Sequence, residues 1–166
     1  LIDDTVKMGR QAMLLIPEIG LTPQILKRFR SLFGERVAVI HSGLSLGQRL
    51  DEYKRIKRGD ADIVIGTRSA VFAPLSDIGL IIIDEEHEST YYQENTPKYS
   101  AVRVASFMAK NLDISLILGS ATPTVEDYYL AKRQGALVAL TEKAKSTAIK
   151  PDIKMVDFRA RDHFRD

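Results

Sequence analysis

Short runs of apolar residues alternate with helical patterns along most of the chain. The apolar runs are continuous rather than alternating, which is typical of parallel strands covered on both faces. They predict strands at 11–16, 36–41, 61–66, 80–84, 114–119 and 136–140, helices at about 23–34, 46–58, 98–111 and 124–133, and the last turns of a helix at 1–8. This alternation predicts an α/β fold in which a parallel sheet lies between two helical layers, with right-handed crossovers.

Composition adds few constraints on function. The 166 residues are 45% hydrophobic and 28% charged with a net charge of +2, so any nucleic-acid surface has to be local. The chain has no cysteine, which excludes disulfides and thiolate metal sites and fits a reducing, cytoplasmic location. Because no apolar run approaches 18 residues, we expect no membrane partner. The first residue is Leu1, so we expect a piece of a longer protein.

The segment Asp84–Glu85–Glu86–His87 follows directly after three isoleucines. Ligands of doubly wound sheets lie beyond the carboxyl ends of the strands. There, Asp84 is suited to hold Mg²⁺ through water, and Glu85 to polarise a water for attack on a phosphoryl group. The same carboxylates also suit a helix N-terminus, and the four residues alone do not decide between these alternatives.

Two other strand ends carry polar turns. Ser120 and Thr122 follow the strand at 114–119 and are suited to cap a helix or to contact a neighbouring loop. Thr22, followed by Pro23, is a natural helix N-cap, and a helix N-terminus after a strand also offers N–H groups to a phosphate.

The stretch "IVIGTRSAVF" places Thr67 and Arg68 just after the strand at 61–66. These side chains are suited to contact a phosphodiester. The alternative is an ordinary turn with one surface arginine.

Taken in order, these stretches resemble the motifs of the bacterial replication-restart helicases of superfamily 2. The resemblance covers about residues 9–142 and rests on "PEIGLTPQ", "HSGLS", "IVIGTRSAVF", "DEEH" and "LGSATP". It implies a RecA-like helicase domain at 1–141 that lacks its phosphate-loop strand, with a tail at 142–166 leading toward a zinc-binding region and a second helicase domain. At the end of the family's loop after "DEEH", "KYSAVRVA" departs from the family pattern.

The resemblance also implies roles for individual residues. Asp84 takes the Mg²⁺–ATP role, Glu85 activates water, and His87 links the nucleotide to the coupling residues Ser120 and Thr122. The segment Glu88–Tyr99, called here the aromatic loop, senses DNA. The expected DNA-binding residues are Pro17, Gly20, Thr22, Thr67, Arg68, Tyr91, Tyr92 and Tyr99. For the three tyrosines, stacking on bases and packing against the domain both remain open.

At the level of the whole protein, the resemblance implies an ATP-dependent 3′→5′ DNA helicase that acts on forked and single-stranded DNA. Its partners are primosome and single-strand-binding proteins, and its zinc lies outside this chain. We expect the chain alone to be inactive. The alternatives are another branched-DNA translocase of the superfamily, or a non-catalytic DNA-binding module.

The family's strand order gives one expectation about the sheet. The phosphate-loop strand belongs between the strands at 114–119 and 136–140. Without it, we expect 114–119 to have one unpaired side and 136–140 to have no place in the sheet. Such an edge favours self-association, or pairing with the tail segment 153–158.

Overall fold

The computed structural model describes residues 1–141, and within them five parallel strands form the central sheet. These are β1 (Gln11–Leu15), β2 (Val37–Ile40), β3 (Ile63–Gly66), β4 (Ile78–Ile83) and β7 (Ser115–Leu118). Their order is β2-β3-β1-β4-β7, and every pairing is parallel. The predicted parallel sheet is thereby confirmed, with strand ends shifted by one or two residues.

Helices cover both faces of this sheet, as the continuous apolar runs predict. They are α1 (Ile2–Lys7), α2 (Pro23–Phe33), α3 (Leu46–Arg58), α4 (Ala101–Leu112) and α5 (Val125–Arg133). Helices α1 and α2 pack on one face against Leu14 and Ile16, while α3 and α4 pack on the other against Met13 and Leu15. Strand β1 is therefore buried along its whole length.

Helix α4 begins three residues later than the sequence predicts. Residues Tyr99–Ser100 form a short strand, β6, which pairs antiparallel with β5 (Tyr92–Gln93). Ser100 then serves as the N-cap of α4, and its side chain accepts a hydrogen bond from the N–H of Arg103. The departure from the family pattern at Ser100 thus has a local structural role.

The edge of the sheet confirms both expectations that follow from the missing strand and corrects the prediction of a strand at 136–140. Within residues 1–141, β7 pairs with β4 alone, so its other side has no strand neighbour, as expected. Residues 136–140 have no place in the sheet, as expected, and the strand predicted there does not form: these residues have no regular secondary structure and are exposed. A strand needs a hydrogen-bonding neighbour, and the described residues supply none there. The tail segment 153–158 lies outside the described residues.

Candidate functional site

The carboxyl ends of β1, β4 and β7 lie side by side and open onto one cleft. The register places Leu15 beside Ile83 and Ile83 beside Leu118, so the segments that follow these strands emerge together. The cleft has a volume of about 510 Å³. Six of the predicted site residues line it, namely Pro17, Gly20, Asp84, Glu85, His87 and Thr122. Three motifs that are far apart in sequence therefore share one surface.

Asp84 is fixed through its backbone while its carboxylate stays exposed. Its N–H donates to the carbonyl of Leu15 at 2.9 Å, which ties the end of β4 to the end of β1. Its Oδ1 accepts the N–H of Glu85 at 3.1 Å. The sheet therefore sets the backbone position of Asp84, and its carboxylate is exposed.

Glu85 has an uncommon backbone conformation and an unsatisfied side-chain oxygen. Its φ is 47°, in the left-handed region that non-glycine residues rarely adopt. Its Oε2 is buried and has no hydrogen-bond partner among the described residues, although the Nδ1 of His87 lies 3.6 Å away. A buried carboxylate oxygen without a partner is costly, while the side chain as a whole is 45% exposed and faces the cleft.

A direct hydrogen bond joins His87 to the turn after β7. The Nδ1 of His87 lies 2.7 Å from the Oγ of Ser120, and this Oγ also accepts the N–H of Thr122 at 3.1 Å. Because the hydroxyl can donate or accept, the bond persists with either histidine tautomer. The predicted residues His87, Ser120 and Thr122 are thus brought together.

Glu86 is a residue that the sequence interpretation missed. It is only 6% exposed, its N–H donates to the carbonyl of Gly119 at 3.0 Å, and its Oε1 accepts the N–H of Thr124 at 3.3 Å. Burial raises the pKa of this carboxyl, and the nearby charge of Asp127 adds to the effect. Glu86 is therefore a second link between the "DEEH" segment and the turn before α5. Nothing in the sequence distinguishes it from Glu85.

The turn after β1 depends on glycine. The N–H groups of Gly20 and Leu21 both donate to the carbonyl of Pro17, at 2.8 and 3.1 Å. A Cβ at Gly20 would lie 2.7 Å from the Cγ2 of Ile16, too close for any side chain to fit without movement. Thr22 then caps α2 by accepting the N–H of Ile25 at 3.4 Å. The turn brings Pro17 and Gly20 to the cleft.

Thr67 and Arg68 lie away from this cleft. Thr67 is 3% exposed, and its N–H donates to the carbonyl of Ile40 at 3.0 Å. The Nη1 of Arg68 donates to the carbonyls of Thr90 and Tyr92, at 3.1 and 2.8 Å. As the structure stands, Arg68 contacts the aromatic loop of its own chain.

The three tyrosines of the aromatic loop occupy different environments. Tyr91 is 2% exposed, and its hydroxyl donates to the carbonyl of Asp84 at 2.7 Å. Burial raises the pKa of this hydroxyl, as does the nearby negative charge of Asp84. Tyr92 is 50% exposed, and Tyr99 packs edge-on against Phe72 with ring centroids 5.0 Å apart. Of the two alternatives left open by the sequence, Tyr91 thus packs against the domain, whereas Tyr92 presents a free ring surface.

The composition and length of the elements in residues 1–141 bear on metals and membranes. These residues contain no group of three or more His, Cys, Asp or Glu side chains arranged to hold a metal ion. None of their helices is long and apolar enough to cross a bilayer.

Comparisons with known proteins agree with the motif interpretation. The family described as DEAD/DEAH box helicase matches residues 1–130. Replication restart protein PriA of Bacillus subtilis (strain 168) is 45% identical over 159 residues, which are 95% of this chain and 20% of that protein. The protein of the same name from Synechocystis sp. (strain ATCC 27184 / PCC 6803 / Kazusa) is 45% identical over 163 residues, with the same two coverages. The resemblance to replication-restart helicases is confirmed, and the chain spans about one fifth of the length of these curated relatives.

Among solved structures, the C-terminal part of the Fun30 ATPase domain is similar to this chain. It covers 82% of this chain and 43% of its own, with 15% identity and a TM-score of 0.44.

Proposed function

Because the chain belongs to the DEAD/DEAH box helicase family, we propose that residues 1–141 form most of the first RecA-like domain of an ATP-dependent replication-restart DNA helicase. Residues 142–166 lead from it toward a zinc-binding region and the second helicase domain. The observation that carries the proposal is the shared cleft. Asp84, Glu85 and His87 meet Thr122 there, and the Nδ1 of His87 lies 2.7 Å from the Oγ of Ser120.

The donor set at Asp84 fits a magnesium ion held mostly by water and phosphate. A single exposed carboxylate, with no cluster of further ligands in residues 1–141, suits Mg²⁺, which keeps several waters when it binds with a nucleotide. Mg²⁺–ATP, when bound, supplies the phosphoryl group whose transfer to water drives the motor. In this proposal Asp84 holds the ion through water.

Glu85 is the general base in this proposal. Its side chain is 45% exposed and lines the cleft, so its carboxylate is available to accept a proton from water. The imidazole of His87, 3.6 Å from the Oε2 of Glu85, contacts Ser120 at the same time. A change at the carboxylate therefore has a direct route to the turn that contains Thr122, as coupling requires.

The proposed DNA track runs over Pro17, Gly20, Thr22, Tyr92 and Tyr99, and the aromatic loop, which Arg68 contacts, reports DNA binding to Asp84 through Tyr91. The hydrogen bond from the Tyr91 hydroxyl to the carbonyl of Asp84 supports this route. At the level of the whole protein we propose 3′→5′ translocation on forked and single-stranded DNA. We further propose primosome and single-strand-binding proteins as partners, and a cytoplasmic location.

Substitution Glu85→Gln in the full-length protein tests the proposal. The change keeps the shape of the side chain and removes the base, so we expect DNA-stimulated ATP hydrolysis to fall roughly 10²-fold or more while nucleotide binding persists. Glu126→Gln is the matched control, because Glu126 is an exposed carboxylate on α5, away from the cleft. Hydrolysis within a few-fold of wild type would remove the role assigned to Glu85.

Two measurements on the wild-type full-length protein also test the proposal. Absence of DNA-stimulated hydrolysis would favour the non-catalytic DNA-binding module. Unwinding of duplexes with a 5′ tail, but not of those with a 3′ tail, would contradict the proposed direction.

A further inference from the structure

Arg68 contacts the aromatic loop at the base where the loop's two ends meet. Its Nη1 donates to the carbonyls of Thr90 and Tyr92, and its guanidinium carbon lies 6.0 Å from the centroid of the Tyr99 ring. The pairing of β5 with β6 holds Gln93 opposite Tyr99, so one side chain reaches both strands of the base. Hydrogen bonds from a charged donor are stronger than neutral ones.

The two carbonyls that Arg68 contacts lie on either side of Tyr91. The hydroxyl of Tyr91 in turn donates to the carbonyl of Asp84 at 2.7 Å, and its ring is 2% exposed. Arg68 thus fixes the backbone that places Tyr91, and Tyr91 contacts the backbone of the predicted Mg²⁺ ligand. No other side chain in residues 1–141 donates a hydrogen bond to the carbonyl of Thr90 or Tyr92.

A neighbouring ring supports the same arrangement. Tyr99 packs edge-on against Phe72, and Phe72 ends the short 3-10 helix that begins with Arg68. The segment Arg68–Phe72 therefore holds the aromatic loop with a cation at one end and an aromatic ring at the other. A phosphodiester that approached Arg68 would have to compete for Nη1 with two carbonyls already in place.

We propose that Arg68 is a positioning residue that acts through Tyr91: it fixes the aromatic loop, and thereby Asp84, rather than serving mainly as a contact to DNA phosphate. This inference rests on the proposed function, because the loop is assigned there as the DNA-responsive element. Its structural half, anchoring of the loop, stands on the contacts alone and can be tested without any activity.

The test uses Arg68→Met in the full-length protein. Methionine keeps a long, unbranched side chain but lacks the hydrogen-bond donors and the positive charge of arginine. Arg103→Met is the matched control, because Arg103 is exposed on α4 and its side chain makes no hydrogen bond within residues 1–141. Limited trypsin digestion reports on the loop, since Lys98 is exposed within it and cleavage there requires local opening. We expect cleavage after Lys98 to be roughly tenfold faster in Arg68→Met and unchanged in Arg103→Met.

Salt dependence of DNA binding separates positioning from phosphate contact. Loss of one phosphate contact to single-stranded DNA reduces the slope of log K against log salt by about 0.7. For Arg68→Met we expect an unchanged slope on a labelled oligothymidylate. We expect the maximal DNA-stimulated rate to fall relative to the basal rate, with the half-stimulating DNA concentration little changed.

A double-mutant cycle tests the route through Tyr91. If Arg68 acts through Tyr91, Arg68→Met combined with Tyr91→Phe lowers the maximal stimulated rate no further than the stronger single variant. Unchanged cleavage after Lys98, a slope reduced by about 0.7, or independent losses in the cycle would each overturn the inference. A wild-type protein without DNA-stimulated hydrolysis would instead overturn the proposed function, and the cleavage result would still decide whether Arg68 anchors the loop.

Discussion

Tyr91 offers a quantitative test of whether the aromatic loop is built into the domain or reserved for DNA. The hydroxyl donates to the carbonyl of Asp84 at 2.7 Å and the ring is 2% exposed. Tyr91→Phe removes the hydrogen bond and leaves a partly buried carbonyl without that donor, which costs about 1–2 kcal/mol. Tyr91→Ala also empties the space of the ring, and truncation of a buried aromatic side chain costs about 3–5 kcal/mol.

Urea unfolding of the 166-residue chain measures both effects as shifts of the midpoint at constant m value. Tyr92→Ala is the matched control: its ring is 50% exposed, so we expect a change within about 0.5 kcal/mol. In single-stranded DNA binding the order reverses, because a free ring that stacks on a base contributes about 1–3 kcal/mol.

The packing interpretation of Tyr91 fails under one clear combination of results. If Tyr91→Ala lowers stability by less than about 1 kcal/mol and weakens DNA binding as much as Tyr92→Ala does, the ring leaves the domain to stack on DNA. The result for Tyr91→Phe then identifies the part of the side chain that matters, since phenylalanine keeps the stacking surface and loses only the hydroxyl.

Three further predictions concern the nucleotide, pH and the sheet edge. Residues 1–141 contain no phosphate loop, so we expect no ATP turnover by the 166-residue chain and Mg²⁺–ATP binding no tighter than millimolar, on the order of −4 kcal/mol; micromolar binding by calorimetry contradicts this. Because burial raises the pKa of Glu86 in the fold, its stabilising contribution is complete below the ordinary carboxyl pKa and is lost as pH rises through the raised value. Glu86→Gln, which keeps an acceptor for the N–H of Thr124, should therefore gain stability relative to wild type as pH rises above the ordinary carboxyl pKa, and a constant difference in urea midpoint across the pH series refutes the assignment. A chain ended at Thr141 should self-associate through β7 in sedimentation velocity, and Ile117→Lys should abolish this; a monomer at high concentration sinks the idea.

The sheet was predictable because its strands carry a strong local signal. Continuous apolar runs placed β1 to β4 and β7 within one or two residues, since a strand buried on both faces leaves no polar position to interrupt it. The same signal was misleading at 136–140, because strand formation also depends on a neighbour that a sequence pattern does not contain. The convergence at the cleft was predictable for a related reason, as parallel strands end at one edge of the sheet.

The partners of individual side chains were not predictable from the sequence. Tyr91 and Tyr92 are adjacent and chemically identical, yet one is 2% exposed and the other 50%. The difference arises from a short 3-10 turn, Ser89–Tyr91, which directs one ring into the core. Arg68 likewise has a side chain suited to contact phosphate. Only the position of the Thr90 and Tyr92 carbonyls, which the sequence does not reveal, gives it another partner.

The backbone of Glu85 explains how three consecutive polar side chains come to serve different purposes. A left-handed conformation costs a non-glycine residue about 1–2 kcal/mol, and it persists only where the surrounding structure fixes it. Here the hydrogen bonds on either side do so, from the N–H of Asp84 to Leu15 and from the N–H of Glu86 to Gly119.

The left-handed residue Glu85 lies between the exposed carboxylate of Asp84 and the buried carboxylate of Glu86, which contacts the N-terminus of α5. His87 follows, within reach of the hydroxyl of Ser120. A regular helix or strand would repeat side-chain directions at a fixed period and would not provide this sequence of environments. Local strain at Glu85 is thus the physical reason why one short segment can expose one carboxylate at the cleft, bury the next and bring His87 to the turn after β7.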